Sequence, residues 1–354
     1  MNRTLGDALN GRDNALNSIR LLLAVAVIFW HTYPISGTNP SWPASTVGSW
    51  AVNSFFAISG FLVAGSRLRL NFSHYLIRRA ARVFPAFWVV LVVTAFVLAP
   101  FSTLFTGSPY SFFEGVNYVS QNFLLWLGEL AVGSTLSGVP HANSWNGSLW
   151  TLFHEFGAYL VAGGVLSLAL VRKHIAFAAL TAVVLLSAAV ASGFGHTLPG
   201  FLSQAGPASR LWSFFAAGVL VYALRDRLST RPPIVIASAG LLCLTFTLGI
   251  AEWLGQIFLA VTLLWLGARL PLRMGSRNDL SYGVYIYAFP VQQLLVVSGI
   301  TPIAGPELSA VLAAVLTLPL AWASWTLVEK PCNRLASRFT RYTPGAERED
   351  RLRS

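Results

Sequence analysis

The chain has 354 residues, of which 55% are hydrophobic and only 10% charged, and its formal net charge is +11. Soluble domains carry roughly a quarter charged residues, so with a mean hydropathy of +0.62 this is the composition of a chain that lives in a bilayer. The two cysteines, Cys243 and Cys332, sit in an apolar run and a basic tail, which argues against a disulfide framework.

Asp7 and Asp13 dilute the positive charge of the N-terminal region, and no small-x-small cleavage site follows the first apolar run. The first span is therefore expected to remain as an anchor. Apolar stretches long enough, or nearly so, to cross a membrane follow at about 18–36, 50–66, 83–100, 148–170, 175–192, 210–224, 234–250, 253–268, 280–299 and 307–328. Ten crossings put both termini on one side. Every Lys and Arg except Arg210 then falls on that same side, which the positive-inside rule makes cytoplasmic. Basic charge distributed in this way is a topology signal and an attraction to anionic lipid; it is not a nucleic-acid surface.

Residues 117–135 (NYVSQNFLLWLGELAVGST) are apolar, but a crossing there would invert every later loop. They read as a re-entrant or interfacial segment. Residues 137–147 (SGVPHANSWNG) form an external loop rich in Gly, Asn and Pro. The fold class expected is thus an all-α integral membrane protein of about ten transmembrane helices, with one domain over 1–335 and a basic, disordered cytoplasmic tail over 336–354.

A histidine sunk in LLLAVAVIFWHTYPI costs free energy unless it is paired. Arg20 and His31 are eleven residues apart, within about 20° of one azimuth and about 16 Å along a helix. That places the arginine at the inner membrane edge and His31 near mid-bilayer, where imidazole can serve as a base or proton relay. Glu155, in SLWTLFHE, lies about 10 Å in from the outer edge of the fourth span and reaches a similar depth. A carboxylate and an imidazole at one level suit a base with its orienting partner. Thr151 and Tyr159, four residues to either side, share the Glu155 face. With Ser148, which opens the run, they are weaker candidates for the substrate pocket. Arg79 and Arg82, in RRAARVFPAFW, stand at i, i+3 on the inner side and pair two guanidinium forks suited to phosphate. With Arg20, they suggest a phosphate-bearing ligand rising from the cytoplasm. FFAISGFLVAG (55–65) favours close helix packing. Glu329 is expected to pair with an arginine, and Glu252 and Asp279 read as loop or edge residues. No G-x-S-x-G elbow, H-E-x-x-H or P-loop occurs.

These pieces, in this order, resemble the membrane acyltransferase 3 family, the bacterial O-acyltransferases of surface polysaccharides and related acceptors. Arg20-x10-His31, FFAISGFL (55–62), the R-x-x-R of Arg79 and Arg82, and SLWTLFHEFGAYL with Glu155 and Tyr159 match its successive segments. LSYGVYIYAFP (280–290) and SWTLVEKP (324–331) resemble its last two helices. One departure is that Ala288 and Phe289 precede Pro290, where many members carry His or Trp.

The resemblance implies transfer of an acyl group, typically acetyl, from cytoplasmic acyl-CoA to a hydroxyl of an extracytoplasmic glycan or glycoside. It places the protein in the bacterial inner membrane and requires no metal. Arg20, Arg79 and Arg82 would bind CoA phosphates, His31 would deprotonate the acceptor or transiently carry the acyl group, and Glu155 would orient the imidazole. A secondary transporter or flippase of an anionic or glycan-type substrate is the competing class, and the absence of an internal repeat counts against it.

Overall fold

A computed structural model of the chain describes residues 3–11, 13–40, 44–195, 198–275 and 278–340. The described residues are helical, with one isolated bridge between Thr4 and Ser229 and no strand. A short α1 (Leu5–Leu9) precedes α2 (Leu16–Ser36), α3 (Ala44–Arg69), α4 (Phe72–Val93), α5 (Ala99–Thr106) and α6 (Phe112–Asn122). After a long irregular loop come α7 (Trp150–Val165), α8 (Ala169–Lys173), α9 (Ile175–Ala191), α10 (Ala205–Leu224), α11 (Pro232–Thr247) and α12 (Ala251–Arg269). The chain closes with α13 (Ser281–Val297), α14 (Ile300–Ser324) and α15 (Lys330–Phe339).

Among the described residues, six helical runs are long and apolar enough to cross a membrane: Leu16–Ser36, Thr46–Arg69, Phe72–Thr106, Gly200–Leu224, Ala251–Arg269 and Ile300–Phe339. Ile175–Ala191 and Pro232–Thr247 are shorter apolar helices. This is a multi-pass membrane architecture. Each of the ten apolar stretches read from the sequence contains a helix. The stretch expected at 148–170 holds only the 16 residues of α7, because the chain turns out of the helix after the Gly163-Gly164 pair, at Leu166–Leu168.

Two of the long runs pass through a π-helical turn, at Thr94–Leu98 and at Trp325–Glu329. The segment 117–135 forms no spanning helix: α6 ends at Asn122, and its flank exposes Phe113, Leu124 and Trp126. The ordered chain also continues past 335. Lys330–Phe339 is one helix with Ala336 buried, and Arg78 donates to the Thr340 hydroxyl and carbonyl at 2.6 and 2.9 Å. Residues 341–354 of the expected tail lie outside the described residues.

The packing follows from the small residues. In FFAISGFL, a Cβ on Gly60 would collide with the Phe215 carbonyl, and one on Gly218 with the Ala57 carbonyl. α3 and α10 therefore approach backbone to backbone, which is the role expected of small residues in a bilayer interface. The main core runs through α3, α4, α7, α10 and α12. A second cluster joins α2 through Ala24 and Ile28 to α13 and α14 through Val284, Ala288, Val291 and Ala313. α13 also packs on the turn at Gly147–Leu149, so it links α2 to the start of α7. α2 ends at Gly37 (φ 72°), whose N–H donates to the Pro34 carbonyl while Thr38 reaches back to Tyr33. This left-handed stop brings Pro140 of the long loop onto that end of the helix.

Candidate functional site

The N-terminal end of α2 and the N-terminal half of α4 carry the arginines. Arg20 and Arg82 both donate to one oxygen of Asp279, Oδ2, at 2.5 and 2.8 Å. The other oxygen, Oδ1, accepts from the Ser281 hydroxyl at 2.6 Å. Burial alone would raise the Asp279 carboxyl, but the Arg20 and Arg82 guanidinium groups hold it well below the usual carboxylate range. Asp279, in the loop before α13 as expected, is thus the hub joining α2, α4 and the start of α13.

Arg79 is placed differently from Arg82. Its guanidinium lies over the rings of Tyr75 and Tyr159, at 5.8 and 5.5 Å from their centroids, and its buried Nε has no hydrogen-bond partner. The pair at i, i+3 does not act as one clamp in this structure: Arg82 is tied to Asp279, while Arg79 keeps donors free. Beside it opens a cavity of about 380 Å³ lined by Arg20, Ser59, Arg78, Arg79, Arg82 and Tyr159 among others. A larger one of about 1150 Å³ adjoins it, lined by Arg20, Arg82, Asp279, Trp325 and the polar face of α15.

Glu155 lies deeper. Its Oε1 accepts from the Ser59 hydroxyl at 3.1 Å and from the Tyr159 hydroxyl. A small cavity of about 40 Å³ reaches it, lined by Arg20, Arg82, Thr151, Glu155, Tyr282 and Tyr285 among others. Thr151 hydrogen-bonds the Tyr285 hydroxyl at 2.6 Å. Ser148 is buried and donates to Asn146 Oδ1 at 2.8 Å, and its carbonyl accepts from Tyr285 at 2.9 Å. It braces the entry to α7 and does not line that cavity.

His31 lies apart from this group. Because α2 begins at Leu16, His31 is five residues short of its last residue, about 8 Å from that end and not at its middle. Its ring hydrogen-bonds back to the Val27 backbone and meets Phe289 edge-on, with centroids 5.2 Å apart. His141 of the long loop meets the same Phe289 ring at 5.9 Å. The loop is held there by Gln293, whose amide donates to the carbonyls of His141 and Ser144 at 2.8 and 2.7 Å. The expected contact between Glu155 and the His31 ring is absent. The Glu155 carboxylate is taken by Ser59 and Tyr159, and α13 links the two helices that carry the pair.

Sequence reading missed Asp279 and His141. The only signal for the first was a scarce acid in an arginine-rich loop, and for the second a histidine in a Gly/Pro/Asn loop. Glu329, expected to meet an arginine, instead accepts from Ser324 at 3.1 Å, because the π-helical turn buries it. Arg210 pairs with Glu252 at 3.6 Å. Among the described residues no cluster of three or more His, Cys, Asp or Glu could hold a metal ion.

The arginine-lined mouth and the buried carboxylate find their context in a family model described as an acyltransferase domain, which matches residues 13–326. The chain belongs to this acyltransferase family. It is therefore an enzyme that transfers acyl groups other than aminoacyl groups. Two curated relatives agree with the assignment. The acyltransferase is 29% identical over 335 residues to an O-acetyl transferase of Shigella phage Sf6, covering 90% of this chain and 96% of that one. It is 29% identical over 356 residues to Nodulation protein 10 of Rhizobium leguminosarum bv. viciae, covering 92% and 95%. No solved structure matches the acyltransferase.

Proposed function

We propose that this acyltransferase is a ten-span enzyme of the bacterial cytoplasmic membrane with both termini in the cytoplasm. It moves an acetyl group from cytoplasmic acyl-CoA to a hydroxyl of an extracytoplasmic glycan or glycoside. α7 and α13, at 16 and 17 residues, join the six long and two shorter apolar helices to make ten. The placement of Arg210 beside Glu252, away from the other arginines, supports the charge asymmetry behind this topology.

Arg20 and Arg82 carry the functional reading. Each lines the wide arginine-rich mouth and also the inner cavity that reaches Glu155, so one pair of cations stands where a polyanionic donor would pass from water into the membrane. Arg79, with donors free and its plane held over two tyrosines, suits a phosphate oxygen. In the reaction, the acceptor O–H bond breaks as His31 takes the proton, and the oxygen attacks the thioester carbonyl. The carbon–sulfur bond then breaks, and the CoA thiolate leaves and is protonated. Glu155, with Thr151 and Tyr159, lies along the donor route. It polarises the pantetheine end; it does not orient His31.

The test is transfer from labelled acetyl-CoA by the purified protein in liposomes, with several glycans offered on the outer side, for wild type and a folded His31→Ala variant. Turnover that disappears in the variant supports the reading. Unchanged turnover removes His31 from the chemistry, and no turnover with any acyl-CoA removes the donor assignment.

A further inference from the structure

The polar wall of the large cavity is a helix that the proposed reaction does not use. α15 (KPCNRLASRF) divides into three stripes at helical spacing. Ala336 and Thr340 are buried, and Thr340 accepts from Arg78 of α4. Leu335 and Phe339 are 53% and 73% exposed, which seats the helix at the membrane surface. Lys330, Asn333, Arg334, Ser337 and Arg338 line the cavity of about 1150 Å³.

The charges in that cavity do not balance. Arg20 and Arg82 share Asp279, and Arg273 pairs with Asp13 at 2.6 Å. Lys330, Arg334 and Arg338 face the same space and have no acidic partner among the described residues. They form a row of three cations about 12 Å long, one per turn, opposite the arginine mouth. A site of this kind fits several phosphates spread along one ligand, not a single carboxylate.

We propose that this row on α15 binds the nucleotide end of the acyl donor, its 3′-phosphate and the adenosine-side phosphate of its diphosphate, and makes the enzyme select nucleotide-bearing thioesters over phosphopantetheine thioesters. The inference rests on the acyl-CoA reading above and adds to it a recognition element on α15. Arg20, Arg79 and Arg82 then hold the phosphate on the pantetheine side, and α15 reads the far end. Phosphates of anionic lipid headgroups share the chemistry, so the test must separate the two sources.

The experiment uses the full chain in nanodiscs of zwitterionic lipid. Calorimetry measures CoA, 3′-dephospho-CoA and 4′-phosphopantetheine binding to wild type and to the double variant Arg334→Gln/Arg338→Gln. Wild type should bind CoA about tenfold or more tighter than the dephospho form. The variant should lose that preference and weaken for CoA by about tenfold, while its phosphopantetheine affinity stays unchanged. CoA affinity retained in the variant overturns the proposal while leaving the acyl-CoA reading intact. Equal CoA binding by both proteins, with only the variant losing adhesion to anionic vesicles, assigns the row to lipid and also overturns it. Wild type that binds no CoA form removes the acyl-CoA reading together with the proposal.

Discussion

Arg20 and Arg82, on helices far apart in sequence, meet on a single carboxylate oxygen of Asp279. The carboxylate is buried and the two guanidinium groups are half-buried, so the three groups stand or fall together. Removing the acid leaves two cations facing each other across the mouth of the cavity. Asp279→Asn should therefore cost about 2 kcal/mol of stability, read as a lowered Tm in detergent. Added pyrophosphate should restore part of the loss by taking the place of the carboxylate between the arginines. A variant as stable as wild type, or one indifferent to pyrophosphate, contradicts the hub.

The same carboxylate predicts acid sensitivity. Its pKa is depressed in the folded protein, so its contribution is present in full above its ordinary value of 3.8. The contribution is lost as pH falls below that value toward the folded pKa, because the unfolded chain takes up the proton first. Wild type should lose Tm more steeply than Asp279→Asn as pH is lowered below about 4. Parallel curves would show that Asp279 is not charged and paired in the folded state.

Arg79 and Arg82 should separate in mutants, although they are three residues apart on one helix. Arg79 has no acidic partner among the described residues and lies over two rings, whereas Arg82 helps hold the Asp279 hub. Arg79→Ala should raise the donor KM about tenfold or more with little change in Tm and in acceptor KM. Arg82→Ala should raise the donor KM and lower Tm together. Equal thermal losses in both would mean that Arg79 is structural.

Much of this was legible in the chain. The apolar stretches, the small-residue crossing at Gly60 and the arginine level all follow from periodicity, side-chain size and charge placement. The links from Arg20 and Arg82 to Asp279 span 259 and 197 residues, and nothing local announces a partner at such separation. Equal depth in the membrane also misled. His31 and Glu155 each lie five residues from the same-side end of their helices, but depth does not fix azimuth. Glu155 turns to Ser59 and Tyr159, while His31 turns to Phe289. The π-helical turn that redirects Glu329 leaves no composition signal.

The Glu155 geometry has its own kinetic consequence. A carboxylate that oriented His31 would move the imidazole's titration when neutralised; one held by Ser59 and Tyr159 would not. Glu155→Gln is expected to lower kcat about tenfold or more while leaving the midpoint of the acid limb of kcat/KM in place. Tyr159→Phe, which leaves Ser59 on the carboxylate, should have a smaller effect on kcat. A displaced acid limb in Glu155→Gln would restore the direct pairing with His31.

His141 should tune the same limb from the opposite side. Burial pushes its imidazole below the ordinary 6.5, so it is neutral at pH 7. Its ring faces Phe289, whose ring also meets His31, which puts the two imidazoles within about 11 Å of each other. When His141 takes up a proton on acidification, its charge repels a second proton arriving on His31. His141→Gln removes that repulsion, so the acid limb should move to higher pH by about half a unit, with the donor KM unchanged. The substitution should also flatten the fall of Tm below pH 6.5, because a buried neutral histidine favours folding only until the unfolded chain begins to protonate. An unchanged pH–rate profile, measured with saturating acceptor, would show that the loop histidine is electrostatically separate from the reaction centre.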